Sequence, residues 1–478
     1  MESAALPDGL VVVVKRDCPT CTLVTPVLAQ LAAGPGLTVF TQDDPTFPEG
    51  MGPHDDTDLV VSWNHQIETV PTLLRVEEGR ETARLEGWDR SAWETFTGEA
   101  VLGEDLPAFR PGCGSMSVDP AVVPRLRARF AADTLAARRL SVGPLEDEIE
   151  ALYDRGFSDG LPLVPPTLER VFAMLDGTTR APDEIIAEVP PDLVPCTVEK
   201  VAINAVMAGC KPEYLPVVLA AVEAACTDAF NAHGLLCTTM PTAPVLIVNG
   251  PIRHHIGMNS GMNVLGQGNR ANSTIGRALQ LVIRNVGGGR PGEVDRATFG
   301  QPGKVGLCFA EDEEGSPWSP LSTDFGVQAG TDAVTLFPGE APRSIVDQLS
   351  RDPESLARTF AANLITLHHP KLVLAFDAIL AVGPEHARVF REAGWSKRQL
   401  ADRLHELLIR PGDELVRGAG GIAEGMPAFF AGQSVPKFRP DGLRIVHCGG
   451  EAGLFSMLIG GWVTAPIGSA PICKEIHP

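Results

Sequence analysis

The chain has 478 residues, of which 44% are hydrophobic and 21% charged, so it carries enough apolar material for two or three domains and is not expected to be disordered. It holds 60 acidic against 39 basic residues, a formal net charge of −21. Because that surplus repels phosphate groups, nucleic acid and anionic membrane surfaces are excluded as expected partners.

Membrane spans and export are not predicted. The longest apolar runs, 216–226 and 372–383, contain acidic residues and are shorter than the roughly 20 residues of a transmembrane helix. The N-terminal MESAALPDGL has neither the basic segment nor the apolar core of a signal peptide, so we expect a cytoplasmic protein. Ten cysteines with one CxxC pair do not indicate a secreted disulfide scaffold.

The first hundred residues predict alternating strands and helices. β-Branched runs predict strands at 9–14, 37–40 and 69–76, and apolar spacing predicts helices at 22–33 and 89–99. The motif DCPTC stands between the first strand and the first helix, which places its first cysteine at a helix N-terminus. There the helix dipole and free amides stabilise a thiolate.

Three features of this region are typical of one superfamily. They are the strand that runs directly into CPTC, Pro26 five residues after the second cysteine, and the run Val70-Pro71-Thr72. With these features, residues 9–100 resemble the thioredoxin superfamily.

The resemblance implies a role for each of these residues. Cys18 would be the attacking thiol and Cys21 the resolving one. Val70, Pro71 and Thr72 would form the cis-proline loop that faces the CxxC pair and binds the substrate backbone. The implied chemistry is thiol–disulfide exchange.

Two positions depart from the superfamily pattern. Asp17 stands where thioredoxins usually have tryptophan, and Val12 stands where many have a buried acid. General thioredoxin activity therefore lies outside the prediction. A zinc site needs about four ligands, and no second CxxC or close histidine pair accompanies CPTC, so a redox pair is favoured over a metal or a structural pair.

Proline and glycine crowd the segment that follows. The composition predicts domains at 1–102 and 145–478, separated by a linker at 103–144 that ends in a basic helix at 125–140. The linker contains Cys113, flanked by glycines, and such an exposed thiol is expected to react. It would be the reactive thiol of the larger domain or a shuttle for electrons from CPTC; an incidental loop cysteine stays open as an alternative.

The larger region predicts a layered α/β domain, and no internal repeat of fixed period is visible. Phrases such as FSDGLPLVPPT are similar to uncharacterised bacterial proteins, a similarity that carries no activity. The predicted helices lie at 197–209, 215–226, 272–286, 355–367, 385–393 and 396–408, and the predicted strands at 244–248, 305–310, 333–337, 372–377 and 443–448.

Two candidate sites lie in the larger region. Cys448 ends a predicted strand, and a turn at Gly449 and Gly450 leads into a predicted helix start, an arrangement suited to a nucleophilic thiolate or a bound anion. Asn272 as a helix N-cap, with Arg277 nearby, allows an anion-binding loop. A small residue in a tight turn and an ordinary capped helix are the simpler interpretations.

The function expected from these observations is thiol–disulfide oxidoreduction. A thioredoxin-like module would reduce reactive cysteines in a fused catalytic domain that acts on a small molecule. An external thiol reductant system would reduce the module in turn, and no metal or cofactor is expected. Two alternatives stay open: a lyase or sulfur-transfer enzyme that uses Cys113, and a redox-sensing ligand-binding protein without turnover. The sequence does not predict an oligomeric state.

Overall fold

The computed structural model describes residues 5–478, and the described chain is mixed α/β. It forms two compact units, Met1–Thr134 and Leu135–Pro478. The predicted segment 103–144 is therefore divided, with residues up to Thr134 in the first unit. The basic helix predicted at 125–140 ends at Phe130. Among residues 5–478, no helix is long and apolar enough to cross a membrane.

The first unit contains nine strands and four helices in its described part. The strands are β1 (Gly9–Val14), β2 (Thr38–Thr41), β3 (His54–Asp55), β4 (Thr69–Val70), β5 (Thr72–Glu77), β6 (Arg80–Glu86), β7 (Trp88–Asp89), β8 (Phe109–Arg110) and β9 (Cys113–Gly114). The helices are α1 (Pro19–Ala33), α2 (Val60–Asn64), α3 (Arg90–Thr97) and α4 (Val123–Phe130).

A five-stranded sheet of order β3-β2-β1-β5-β6 forms the centre of this unit. Strand β1 pairs in parallel with β2 and antiparallel with β5. Its valines are fully buried, as expected for a central strand covered on both faces. Leu28 and Leu31 of α1 join these valines in one core, which Trp88 and Trp93 close.

The second unit contains twelve strands and eleven helices. The strands are β10 (Ile185–Val189), β11 (Val194–Thr197), β12 (Ala243–Asn249), β13 (Leu307–Ala310), β14 (Ala333–Gly339), β15 (Arg343–Val346), β16 (Ala378–Val382), β17 (Ile409–Pro411), β18 (Ser434–Pro436), β19 (Leu443–His447), β20 (Phe455–Gly460) and β21 (Ile472–Glu475). The helices are α5 (Glu148–Asp154), α6 (Leu168–Leu175), α7 (Val198–Ala208), α8 (Leu215–Ala225), α9 (Ala232–Cys237), α10 (Ile252–His255), α11 (Arg270–Asn285), α12 (Pro353–Ile365), α13 (Pro384–Glu392), α14 (Lys397–Leu407) and α15 (Gly412–Leu415).

Two four-stranded sheets of the second unit share one pairing pattern. In the first, β12 pairs in parallel with β13 and antiparallel with β14, and β14 pairs antiparallel with β21. In the second, β16 pairs in parallel with β19 and antiparallel with β20, and β20 pairs antiparallel with β15. The edge strands are exchanged, because β15 follows β14 in the chain and β21 follows β20. The sequence shows no repeat, yet the topology is duplicated.

The two sheets pack face to face. Alternate residues of β12 and β16, such as Val245, Ile247 and Ile379, point into a shared apolar core. On the outer faces, α8 and α11 cover the first sheet, with α7 packed against both helices, and α12, α13 and α14 cover the second. The second unit is thus a four-layer arrangement of helices, sheet, sheet and helices.

One predicted strand and one predicted helix are absent. Residues 372–377 do not form a strand, because Leu374 takes a left-handed φ of 62° and the backbone turns there. The strand begins at Ala378 instead. Lys371, just before, donates to the carbonyls of Val416, Ala419 and Ile422 and ties this turn to another loop. After Cys448 no helix begins, and the chain loops into β20 at Phe455.

Candidate functional site

The CPTC cysteines lie where strand β1 gives way to helix α1. Cys18 is the N-cap of α1, and its Sγ accepts a hydrogen bond from the Cys21 amide at 3.3 Å. Pro19 follows at the first helical position, where its missing N–H costs nothing. Both thiols are buried, Cys18 at 1% exposed and Cys21 at 0%.

The protonation of the two thiols differs. Hydrogen bonding from the Cys21 thiol, aided by Cys113 and by the amides of Cys21 and Thr20, lowers the pKa of Cys18 to about 5 against the opposing effect of burial. Burial raises the pKa of Cys21. Cys18 is therefore the thiolate at neutral pH, with a protonated thiol beside it.

A third thiol completes the site. The Sγ atoms of Cys18 and Cys113 lie 2.7 Å apart, farther than the roughly 2.05 Å of a disulfide bond. Burial, followed by the hydrogen bond with Cys18, raises the pKa of Cys113. All ten cysteines of the chain are free thiols, and Cys113 is half-buried.

Strand pairing brings Cys113 to this position. Strand β9 runs antiparallel to β4, with Cys113 opposite Val70 and Gly114 opposite Thr69. The carbonyl oxygen of Val70 also lies 3.5 Å from the Cys18 Sγ. The Val70–Pro71 peptide is cis, and the Thr72 hydroxyl donates to the Thr69 carbonyl at 2.6 Å, so Val70 contacts the Cys18 thiol while Pro71 and Thr72 continue the same loop.

The backbone on both sides of Cys113 is fixed. The Thr20 hydroxyl donates to the carbonyl of Pro111 at 2.7 Å, and the Lys15 ammonium donates to the carbonyl of Gly114 at 2.8 Å. The Ser115 amide donates to the Glu68 carbonyl at 2.9 Å. The composition predicts a flexible linker here, whereas these bonds hold the segment in one conformation.

A buried polar network that no sequence motif announces anchors the same segment. The Gln42 amide group donates to Ser115 Oγ at 2.6 Å and to Ser62 Oγ at 2.7 Å, and its oxygen accepts from the Met116 amide at 3.1 Å. The Ser117 hydroxyl donates to the Ile67 carbonyl at 2.5 Å. A glutamine directly after a buried strand, together with small hydroxyl residues after Cys113, is the one sequence signal for it.

The chain passes Val70 without room to spare. A Cβ atom added at Gly112 would lie 2.3 Å from the Thr69 Cγ2 and 2.9 Å from the Val70 carbonyl oxygen. Across from it, Gly87 has a φ of +73°, and a Cβ there would lie 2.8 Å from the Gly112 nitrogen. Glycine at both positions lets two backbones approach closely enough for β9 to form.

The structure gives Cys448 no activating surroundings. It is 5% exposed in the apolar core between the two sheets, and burial raises its pKa to about 12. The predicted helix start is replaced by a loop in which the Gly449 amide donates to the Ser260 carbonyl at 2.9 Å. A Cβ at Gly450 would lie 3.0 Å from the Met262 Cα, so both glycines serve a close approach of two loops.

Asn272 and Arg277 are engaged inside the second unit. The N-cap of α11 is Asn269 rather than Asn272, because the Asn269 side chain accepts from the Asn272 amide. The Asn272 side chain accepts from the Asn259 amide and donates to its carbonyl, which holds the preceding loop. Arg277 forms two hydrogen bonds of 2.8 Å with the carboxylate of Asp159.

The other cysteines of the second unit are also poor nucleophiles where burial acts on them. Burial raises the pKa of Cys196, Cys210 and Cys226 to about 12 and raises that of Cys308 still further. Across residues 5–478, no three His, Cys, Asp or Glu side chains are grouped to hold a metal ion. The three thiols of the first unit are thus the chemically distinct site.

Comparison with known proteins adds no relative: no family model, curated protein or solved structure matches the chain.

Proposed function

We propose that the chain is a thiol–disulfide oxidoreductase in which a thioredoxin-like first unit serves its own third thiol, Cys113. The observation that carries the proposal is the 2.7 Å separation of the Cys18 and Cys113 Sγ atoms, combined with the pairing of Cys113 opposite Val70. A thiolate at contact distance from a second sulfur is the arrangement from which disulfide exchange proceeds.

The thioredoxin-like assignment is supported by position as well as by motif. The CPTC cysteines lie between a central strand and a long helix, and the loop of Val70 and Pro71 faces Cys18. In this proposal β9 occupies the place of a bound substrate strand, because it adds to the loop by main-chain pairing.

The proposed exchange balances in two steps. When Cys113 carries a group R through a disulfide, the Cys18 thiolate attacks the Cys113 sulfur, the Cys18–Cys113 bond forms and RS⁻ leaves, taking up a proton. The Cys21 thiol then gives up its proton, attacks Cys18 and expels Cys113 as a thiolate. Two electrons pass from the Cys18–Cys21 dithiol to the R-bearing disulfide, and an external thiol reductant regenerates the dithiol.

The proposal assigns the reacting thiols to the first unit and none to the second. Five second-unit cysteines are protonated at neutral pH, since burial raises the pKa of each: Cys196, Cys210, Cys226, Cys308 and Cys448. The proposal still includes a reaction of the second unit on a small molecule, but no cysteine of the second unit takes part in it.

Disulfide trapping tests the proposed relay. In a Cys21→Ser variant Cys18 has no resolving partner, so mild oxidation should join Cys18 to Cys113, which peptide mapping by mass spectrometry identifies. The matched control, Cys21→Ser with Cys113→Ser, should instead leave Cys18 free or joined to an added small thiol. A Cys18 bond to a second-unit cysteine, or to added thiol alone in the single variant, would overturn the proposal.

A further inference from the structure

The edge of strand β4 is already occupied. An extended protein client would present a strand to Thr69 and Val70, since main-chain pairing gives such recognition its affinity. Gly114 and Cys113 already pair with these two residues. A client strand can therefore pair there only after residues 111–115 have left.

Leaving would break bonds on both sides of Cys113. The carbonyl of Pro111 would lose the Thr20 hydroxyl, and the carbonyl of Gly114 would lose the Lys15 ammonium. Ser115 would lose its amide bond to the Glu68 carbonyl and its side-chain bond to the buried Gln42. These four hydrogen bonds, made by three residues, favour the docked state of the segment over an open one.

Solvent access differs among the three thiols. Cys18 and Cys21 are buried, whereas Cys113 is half-buried and is the thiol of the site with solvent access. A reagent from solution therefore meets Cys113 before it meets Cys18. Only a small molecule can approach Cys113, because the backbone of the segment around Cys113 is already paired with strand β4 and leaves no room for a protein strand.

We infer that the substrate of the site is a low-molecular-weight disulfide, R–S–S–R′, which reacts first at Cys113, and that the Cys18–Cys21 pair is closed to protein disulfides. This inference rests on the proposed function and narrows its substrate class.

The additional step balances. The Cys113 thiol attacks R–S–S–R′, forms the mixed disulfide Cys113–S–S–R and gives up its proton to the departing R′S⁻, while Cys18 stays a thiolate 2.7 Å away. The exchange described above follows, so the dithiol and R–S–S–R′ become the Cys18–Cys21 disulfide, RSH and R′SH.

Two disulfides compared on the full chain test the inference. Reduced protein is mixed with bis(2-hydroxyethyl) disulfide or with insulin, and formation of the Cys18–Cys21 disulfide is followed by acid quench, alkylation and mass spectrometry. Each rate is divided by that of the same disulfide with dithiothreitol. We expect the small disulfide to react at least about 10-fold faster on this scale, because insulin waits for the rarely populated open state.

Two glycine variants separate closure from other causes of slow insulin reduction. Gly112→Ala places a Cβ 2.9 Å from the Val70 carbonyl oxygen and should release the segment, so the insulin rate rises. Gly114→Ala, on the other side of Cys113, meets no atom within 4 Å and should leave the insulin rate low. Equal normalised rates for the two disulfides in the unchanged protein would overturn the inference.

A third variant covers the case in which Gly112→Ala fails to fold. Cys113→Ser keeps the segment docked but removes the half-buried sulfur that solvent reaches, so the rate with the small disulfide should fall at least about 10-fold. An unchanged rate would mean that the reagent reaches Cys18 directly, and the inference would be wrong. The Cys21→Ser trap distinguishes failure of this inference from failure of the proposed function. If the Cys18–Cys113 bond is trapped but the Cys113→Ser rate is unchanged, only the substrate class is wrong. If the bond does not form, the proposed function is wrong as well.

Discussion

Cys18 and Cys113 are 95 residues apart in the chain, yet their Sγ atoms lie 2.7 Å from one another. The pairing of Cys113 with Val70 produces this contact, and the passage of Gly112 beside Gly87 makes room for it. Because Cys113 donates toward Cys18, the third thiol affects the charge state of the first.

That relationship predicts the pH dependence of the site. The pKa of Cys18 is about 5, well below the ordinary 9.0, so the thiolate is present at neutral pH and is lost as pH falls through about 5. The ultraviolet absorbance of thiolate, taken as the difference between the reduced protein and Cys18→Ser, should show a transition there. Proposed exchange activity should fall over the same range.

The contribution of Cys113 can be separated in the same titration. Cys113→Ala removes one of the hydrogen bonds that lower the pKa of Cys18, so the transition should move to higher pH without reaching the ordinary value, because Cys21 still donates. A transition near 9.0 in the unchanged protein would contradict the proposed thiolate.

A second prediction contrasts two cysteines of the second unit. Cys237 is exposed, whereas Cys448 is buried in the core between the sheets with a pKa raised to about 12. Iodoacetamide at mildly alkaline pH should label Cys237 in the folded protein and label Cys448 only after denaturation, as peptide mass spectrometry would show. Rapid labelling of Cys448 in the folded chain would restore it as a candidate nucleophile.

The sequence predicts the local part of this structure well. The helix expected at 396–408 is observed at Lys397–Leu407, where Ser396 and Gln399 form a capping box, and the helix at 215–226 is observed at Leu215–Ala225. Capping residues and apolar spacing act within one or two turns, so a window of neighbouring residues contains the information.

Contacts between residues far apart in the chain could not be predicted from the sequence. Proline and glycine around Cys113 predict a flexible linker. In the structure Gly112 instead lies in close contact with Gly87 and Val70, where a side chain would not fit. The exchange of β15 and β21 between two sheets likewise depends on which edges are free, which no local pattern records. Asn272 fits an N-cap by type, but the actual N-cap is Asn269, and only the fold distinguishes them.

A third prediction concerns Arg277, which the sequence presents as an anion-binding residue. In the structure it forms two hydrogen bonds with Asp159, and both side chains are 12% exposed, so the pair is nearly buried. Arg277→Met leaves the Asp159 carboxylate buried without its partner, and removing one partner of such a pair costs about 3–5 kcal/mol. Urea unfolding should show a lower midpoint.

The double variant supplies the control for this ion pair. Arg277→Met with Asp159→Asn removes both charges, so it should regain much of the stability lost in the single variant, because the uncompensated carboxylate is gone. Arg277→Met that unfolds like the unchanged protein would contradict the structural role and return Arg277 to the set of ligand-binding candidates. The coupling between the two substitutions therefore decides which role this buried guanidinium has.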